Sequence, residues 1–591
     1  MKTINNNLYL LKIIYASDKK RILYLICLSL ISMLNTVISV LFIKFVLDCI
    51  IIYQSFQYLL LLIFAERAIS ITLSYIECNL RWKKCPISDN IIKEHMLKKV
   101  YAKSIKIELC ELDKPEFYDK FNRALGEAEQ RAFAMIYSME SFLTSLLTIF
   151  SISTIIILLG WKLIFLSIIS SVIGVLVNMA ISKLNFNKNN ALTRPNRKLE
   201  YIRRLFYLPQ YIEEIKTNNY KKLFFTKLEN STEDYTIQIK KYQSKIAFFD
   251  VINNWQTFVI NFGIASIFIG EQVISGAIGV ASFTSLIYAS TTLSSSLSNI
   301  FSIIPQMAQH SLFIDNLREI LDYKSSMEPT TDSKVVQKEK NHSIVLDHVS
   351  FKYNSGADDI LKDISLKINK GEKIALVGEN GAGKSTLVKL ILRLYDPQSG
   401  SLYFDNDNYR DLDVNSLRKE ISVVYQNFQS FAFSIGENVL TRELIESEDE
   451  RNVWDALKGS GLYSKIQNLP DKLNTPLTNE FDENGINLSG GESQKLAIAK
   501  AICKDTGVII MDEPSSSLDP LSEHEMYLRM FNMCKDKTLI LISHRLYSTK
   551  MVDKIYYIEN GSILESGNHE ELIKLNGKYA SLYNIQAQQY K

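Results

Sequence analysis

The sequence predicts a polytopic α-helical membrane domain of six spans fused to an α/β domain built around a phosphate-binding loop. Three observations carry this. Uncharged apolar stretches of about 20 residues crowd the first 310 positions. An ordinary soluble pattern of short strands, glycine turns and amphipathic helices fills the rest. Within that second half, one glycine-rich turn lies between a buried strand and a helix.

The chain has 591 residues, too many for one hydrophobic core, which stops growing at about 250–300 residues. Gly 23, Pro 11 and Cys 7 exclude collagen, a disordered chain and a small disulfide scaffold. Lys+Arg 67 against Asp+Glu 64 leave +3, too weak a charge for a nucleic-acid footprint, so no nucleic-acid partner is expected. The cysteines form no CxxC pair and no metal-ligand spacing, and read as reduced structural thiols. The first twenty residues carry no small-residue cleavage site, so removal of a secretory signal is not expected.

The spans are read in order. Ile22–Ile43 carries no charge until Lys44, and Ile51–Ile76 is interrupted by Glu66 and Arg67. Ser141–Trp161 and Leu163–Ser182 are separated only by Lys162, which predicts a helical hairpin with almost no loop. Val251–Gly270 and Gln272 to about Gln306 supply the fifth and sixth. Lys12, Lys19, Lys20 and Arg21 precede the first span, Arg81, Lys83 and Lys84 follow the second, and Lys183, Lys188, Arg194 and Arg197 follow the fourth. The opposite turns are poor in positive charge, so both termini are expected in the cytoplasm. The polar residues within or beside spans are Asn35, Lys44, Asp48, Glu66, Arg67, Glu140, Asn253, Asn254 and Gln256. Such groups bond between helices or face a cavity, and Glu66, Glu140 and Asn253 are the cavity candidates. Glu66 and Arg67, adjacent on one helix, point about 100° apart and are not expected to neutralise each other.

In the second half Ile344–Val349, Lys373–Val377, Val508–Met511 and Thr538–Ser543 read as strands, the last three buried and parallel. Lys373–Val377 runs into Gly378, Gly381 and Gly383 and then a helix starting near Lys384. The glycines free backbone N–H groups to wrap a phosphate, and the helix dipole faces the same anion. Lys384 adds a point charge for β- and γ-phosphates, and Ser385 offers a hydroxyl to Mg²⁺. Asp512 and Glu513 end a second strand, the first suited to gripping Mg²⁺ and the second to a general base for water. His544 ends another strand, placed to hydrogen-bond a γ-phosphate.

These residues resemble the ATP-binding cassette transporter family. GENGAGKST (378–386: Gly378, Glu379, Asn380, Gly381, Ala382, Gly383, Lys384, Ser385, Thr386) resembles Walker A, and VIIMDE (508–513) Walker B. Gln426 in VVYQNF falls where the Q-loop glutamine does, implying a ligand to Mg²⁺ and a place beside the reacting water. LSGGESQ resembles the signature, implying that Ser489, Gly490, Gly491 and Glu492 meet nucleotide. SSLD (516–519) resembles the D-loop, His544 the switch histidine, and Tyr353 the aromatic that stacks on adenine. The signature departs from the family by Glu492 in place of Gln, and the D-loop by Ser517 in place of the commoner Ala.

Six spans followed by one cassette resemble a type I exporter half-transporter. The resemblance implies a membrane domain over 1–320, a linker over 321–343 and a P-loop ATP-binding cassette over 344–591. It implies ATP and Mg²⁺ as cofactors, ATP hydrolysis coupled to transport, and a second half-transporter as partner, a homodimer because Glu513 and His544 are both intact. Segments 112–124 and 213–224 sit where family coupling helices meet the cassettes. FDENGINLSGG is similar to the branch of bacteriocin and lantibiotic peptide exporters. The expectation is a multi-pass bacterial plasma-membrane exporter of a peptide. The alternatives are a multidrug or lipid exporter of amphiphilic small molecules, or a sensing ATPase whose membrane half signals.

Overall fold

The computed structural model describes residues 2–160, 163–276, 278–325, 327, 333–353, 358–514 and 520–589. The chain forms two compact units, Met1–Ser104 with Lys120–Asp322, and Ile105–Asp119 with Tyr323–Lys591.

The first unit is helical. Its chain runs through α1 (Lys2–Ser17), α2 (Lys19–Asp48), α3 (Phe56–Cys78) and α4 (Cys85–Ser104). Past the short α5 (Leu109–Leu112), which belongs to the second unit, it continues through α6 (Pro115–Gly160), α7 (Leu163–Tyr207), α8 (Pro209–Thr217), α9 (Lys221–Phe258), α10 (Ala265–Ile274) and α11 (Val280–Leu321). Asp18 starts α2 by accepting the Lys20 N–H at 2.9 Å. Wide π-helical turns follow α2 at Cys49–Tyr53, α3 at Asn79–Lys84 and α9 at Val259–Ile264.

Among the described residues five helical stretches are long and apolar enough to cross a membrane: Lys19–Ile52, Phe56–Ser104, Ala132–Ile157, Ile164–Tyr207 and Lys221–Ile274. The expected sixth is α11, a continuous helix of 42 residues whose apolar character is diluted by serine. The dilution has a packing reason. Ser282, Ser285, Ser290, Ser294 and Ser296 are buried. The hydroxyls of Ser290 and Ser167 lie 3.0 Å apart, and the Asn299 amide donates to Ser141 and Ser145 at 2.9 and 2.8 Å. Small hydroxylated side chains let helices approach closely and bond across the contact. The helix also starts later than Gln272, because the chain breaks at Gly276 (φ 74°) and resumes at Val280. The expected tight turn at Lys162 lies outside the described residues.

Several ionisable groups of the spans are paired within the unit. Contrary to the expectation from their adjacency, Arg67 Nε reaches Glu66 Oε2 at 3.4 Å, since two long side chains can bend back across 100° of helix. Arg81 donates to Glu140 at 2.8 Å and to Glu77 at 3.4 Å, and the Ser29 hydroxyl donates to the Glu140 carbonyl at 3.3 Å. Ser170 donates to Gln256 at 3.4 Å.

The second unit is α/β. Its strands are β1 (Ile344–Phe351), β2 (Leu361–Ile368), β3 (Lys373–Val377), β4 (Ser399–Phe404), β5 (Asp407–Asn408), β6 (Ile421–Val424), β7 (Val508–Asp512), β8 (Thr538–Ile542), β9 (Lys554–Glu559) and β10 (Ser562–Gly567). They form an antiparallel sheet in the order β2-β1-β4-β5 and a second sheet in the order β10-β9-β3-β8-β7-β6, parallel except for β10. The helices are α12 (Lys384–Ile391), α13 (Val414–Lys419), α14 (Ile435–Leu440), α15 (Ser447–Ser460), α16 (Tyr463–Gln467), α17 (Gly490–Cys503), α18 (Pro520–Met533), α19 (His569–Leu575) and α20 (Lys578–Gln589).

Alternation along β3, β7 and β8 divides the core. Ile374, Leu376, Ile510 and Ile540 join α12 and the antiparallel sheet. Ala375, Val377, Ile509, Met511, Leu539 and Leu541 pack on Met526, Tyr527 and Met530 of α18. Both faces are covered, which is why these strands read as unbroken apolar runs. A separate cluster joins α15, α16 and α17 through Val453, Leu457, Ile466, Leu496 and Ala499.

Candidate functional site

Every predicted catalytic side chain emerges at the C-terminal edge of the parallel sheet, where α/β folds place ligands. The phosphate loop leaves β3. Gly378, Gly381 and Gly383 have φ of 152°, 81° and 102°. A Cβ at Gly378 would lie 2.0 Å from the Ile558 carbonyl oxygen, so backbone packing as well as conformation demands glycine there. Glu379, Asn380 and Gly381 are exposed, while Ala382, Gly383 and Lys384 are buried. The Lys384 Nζ donates to the carbonyls of Gly378 and Glu379, each at 2.8 Å, which arches the loop over its own first helical turn. Burial lowers the affinity of this ammonium for its proton, and the charges of Glu513 and Asp512 oppose that shift. The Asp512 carboxyl is pushed up from the ordinary aspartate range by burial and then by Glu513, while nearby Ser385 and Lys384 oppose the shift.

Three neighbouring strands each deliver one polar residue just past their ends: Gln426 after β6, Glu513 after β7, His544 after β8. Gln426 donates through Nε2 to Glu513 Oε2 at 2.7 Å, and His544 Nε2 lies 2.6 Å from Glu513 Oε1. Both carboxylate oxygens are therefore held. Glu513 itself has φ 51°, a left-handed conformation uncommon outside glycine, and its N–H bonds to the Ile542 carbonyl at 3.0 Å. Sequence reasoning placed these three residues separately; the parallel sheet brings them together.

The oxygen donors of Ser385, Asp512 and Gln426 form a hard set of the kind magnesium takes. Gln426 spends its amide N–H on Glu513, which leaves its carbonyl oxygen for a cation.

Tyr353 lies at the end of β1. Its hydroxyl is 3.3 Å from Thr386 Oγ1 and accepts from Lys389 Nζ at 3.2 Å. It meets Phe351 and Tyr395 edge-on, with ring centroids 5.0 and 5.2 Å away. A cavity of about 170 Å³ opens beside it, lined also by Glu108, Cys110 and Asp113 of the first-loop segment. Tyr395, unmarked in the sequence, donates to Asp113 at 2.7 Å, and the hydroxyl of Ser325 donates to Glu108 at 2.6 Å.

The signature residues start α17. Ser489 caps it by accepting the Glu492 N–H, while the Glu492 carboxylate accepts the Ser489 N–H at 2.9 Å. Gly490 and Gly491 occupy the first turn, where N–H groups have no carbonyl of their own helix to bond. Gln494, one turn on and buried, donates to the Glu513 carbonyl at 3.4 Å. Gln494 closes the signature run LSGGESQ, which assigns it no role of its own. The D-loop residues Ser516–Asp519 lie outside the described residues.

A family model described as ABC transporter matches residues 361–516. The subtilin transport ATP-binding protein SpaT of Bacillus subtilis is 30% identical over 482 residues, covering 80% of this chain and 77% of SpaT. A multidrug export ATP-binding/permease protein, by its name, of Staphylococcus aureus is 41% identical over 247 residues, 42% of each chain. A solved structure of a bacterial Atm1-family ABC exporter with ATP bound superposes with TM-score 0.80 over 97% of this chain and 99% of that one, at 20% identity, and so shares its fold. With that fold, those motifs and a relative matched across both halves, the chain belongs to the ABC transporter family.

Proposed function

We propose that this ATP-hydrolysing transporter exports a peptide across the bacterial plasma membrane, working as a homodimer by alternating access. The observation that carries the cargo is the reach of the SpaT match. It extends over 80% of the chain and so into the membrane half, where cargo is met, whereas the multidrug relative matches over 42%. Export of drugs or lipids is the second reading, favoured by the higher identity of that shorter match.

The residue roles follow from this reading. Gly378–Thr386 cradle the phosphates, with Lys384 exchanging its two carbonyl partners for phosphate oxygens. Ser385, Asp512 and Gln426 hold Mg²⁺, which supplies charge neutralisation at the β- and γ-phosphates. Tyr353 stacks on adenine. Glu513 takes a proton from the attacking water, while His544 and Gln426 fix the carboxylate's orientation. Ser489, Gly490, Gly491 and Glu492 present the start of α17 to ATP held by the second copy, so hydrolysis needs a dimer. The domains run 1–320, 321–343 and 344–591, with both termini cytoplasmic, and 112–124 and 213–224 serve as coupling segments.

The test is comparative mass spectrometry of medium from producing cells carrying wild-type chain or Glu513→Gln. Loss of one peptide from the medium, with accumulation inside, supports peptide export and names the cargo. An unchanged peptide profile overturns it and turns attention to lipids and added drugs. Normal hydrolysis with nothing moved would favour a sensing ATPase.

A further inference from the structure

We propose that Lys465 is a positioning residue for ATP hydrolysis: its ammonium clamps and neutralises Glu492, so that the signature loop can meet a nucleotide anion. This rests on the reading that α17 faces ATP on the second copy.

A carboxylate in the first turn of a helix is favourable to that helix, because it complements the dipole. It is unfavourable to an anion arriving at the same turn, because it repels the charge and competes for the N–H groups. Glu492 stands in that conflict. One carboxylate oxygen is committed to the Ser489 N–H at 2.9 Å. The other lies 2.6 Å from Lys465 Nζ. The lysine's ammonium above all, and then the Ser489 N–H, hold this carboxyl below the ordinary glutamate range, so it carries its charge at neutral pH with the lysine as counter-ion.

Lys465 comes from a fixed platform. It projects from α16, whose Ile466 is fully buried in the same cluster as Leu496 and Ala499 of α17. The preceding Tyr463 packs edge-on against Trp454 at 5.3 Å. Ammonium and signature loop are thus carried by helices sharing one core. The side chains of the pair are 42% and 27% exposed, and ion pairs so exposed add little to folding. Stability is therefore not what the pair supplies. A neutral glutamine at position 492 would need no counter-ion, so the lysine compensates for the residue by which this signature departs from its family.

The experiment measures MgATP-dependent hydrolysis by the full-length protein in proteoliposomes, for Lys465→Met in the wild-type and Glu492→Gln backgrounds. In the wild-type background KM for ATP should rise about fivefold, the scale of one unpaired charge several ångströms from a phosphate in a partly screened medium. The kcat should stay within about twofold and the KM defect should shrink at high salt. Lys465→Arg should restore KM. In the Glu492→Gln background the lysine substitution should move KM by less than about twofold, the cycle's signature of a pairwise effect. An unmoved KM in the wild-type background, or an equal rise in both backgrounds, overturns the proposal. Gly490→Asp tests the underlying reading. Its loss of hydrolysis alongside a silent Lys465→Met sinks the lysine alone, whereas retained hydrolysis removes the signature reading and the lysine with it.

Discussion

His544 Nε2 lies 2.6 Å from Glu513 Oε1, across the ends of two adjacent parallel strands. With Gln426 on the other oxygen, the carboxylate is oriented before any water arrives. Glu513→Gln keeps the size and one accepting oxygen but cannot take a proton. Turnover should fall by about 10²–10⁴-fold, the usual share of a general base, while ATP still binds. Single-turnover hydrolysis and a nucleotide-binding titration separate the two. Turnover near wild type would remove Glu513 from the base role.

His544→Ala frees one oxygen of that carboxylate and leaves Gln426 to hold the other. Hydrolysis should drop by about 10–10³-fold with little change in ATP affinity, because orientation is lost and not the phosphate cradle. A rise in KM with unchanged kcat would assign His544 to binding instead.

The Asp512 carboxyl is pushed up by burial and by Glu513. A raised pKa means that it takes up a proton at a higher pH than a free aspartate, and only the ionised form grips a cation well. The Mg²⁺ concentration needed for half-maximal hydrolysis should therefore climb as pH falls, beginning above the ordinary aspartate range. Asp512→Asn should raise that concentration at every pH and flatten its dependence. A Mg²⁺ requirement independent of acidification would contradict the role.

Gly378→Ala should destabilise the second unit by about 2–4 kcal/mol, since the new methyl meets the Ile558 carbonyl at 2.0 Å. Gly381→Ala meets nothing within 4 Å and should cost only the strain of φ 81°, about 1 kcal/mol. Denaturant unfolding of the two variants gives the comparison, and an equal cost would mean that the close approach is not rigid.

Tyr395→Phe removes the hydroxyl that holds Asp113 at 2.7 Å. The bond is worth about 1 kcal/mol, so amide exchange through Leu109–Leu112 should quicken by about fivefold. Unchanged exchange would show that Leu109 and Cys110, packed against the core, suffice to hold the segment.

The nucleotide site was legible because its chemistry is written in short runs. Gly378 to Thr386 and Asp512 with Glu513 each lie on one continuous run that spacing marks out, and Ser489 to Glu492 lie on one that the family resemblance marks out. What spacing cannot carry is the meeting of Gln426, Glu513 and His544, which depends on strand order. Lys465, Tyr395 and Gln494 stayed hidden for the same reason: each acts on a residue distant in sequence and belongs to no periodic pattern. In the membrane half, hydropathy located five of the six stretches cleanly. It blurred α11, where buried Ser290 and Ser294 look polar in sequence yet face neighbouring helices. Adjacency misled at Glu66 and Arg67, whose flexible side chains close a gap that their Cα–Cβ directions open.

The wide turns at Cys49–Tyr53, Asn79–Lys84 and Val259–Ile264 bear on how such a chain tolerates change in length. In a regular helix, deleting one residue rotates everything beyond it by about 100°, carrying a lipid-facing stripe into the protein. A π turn already holds one residue more than the α period requires. Deletion there lets the backbone fall back to the α repeat while the faces on either side keep their alignment. These three turns are therefore the places where the membrane helices can lose a residue and keep their outward and inward sides in phase.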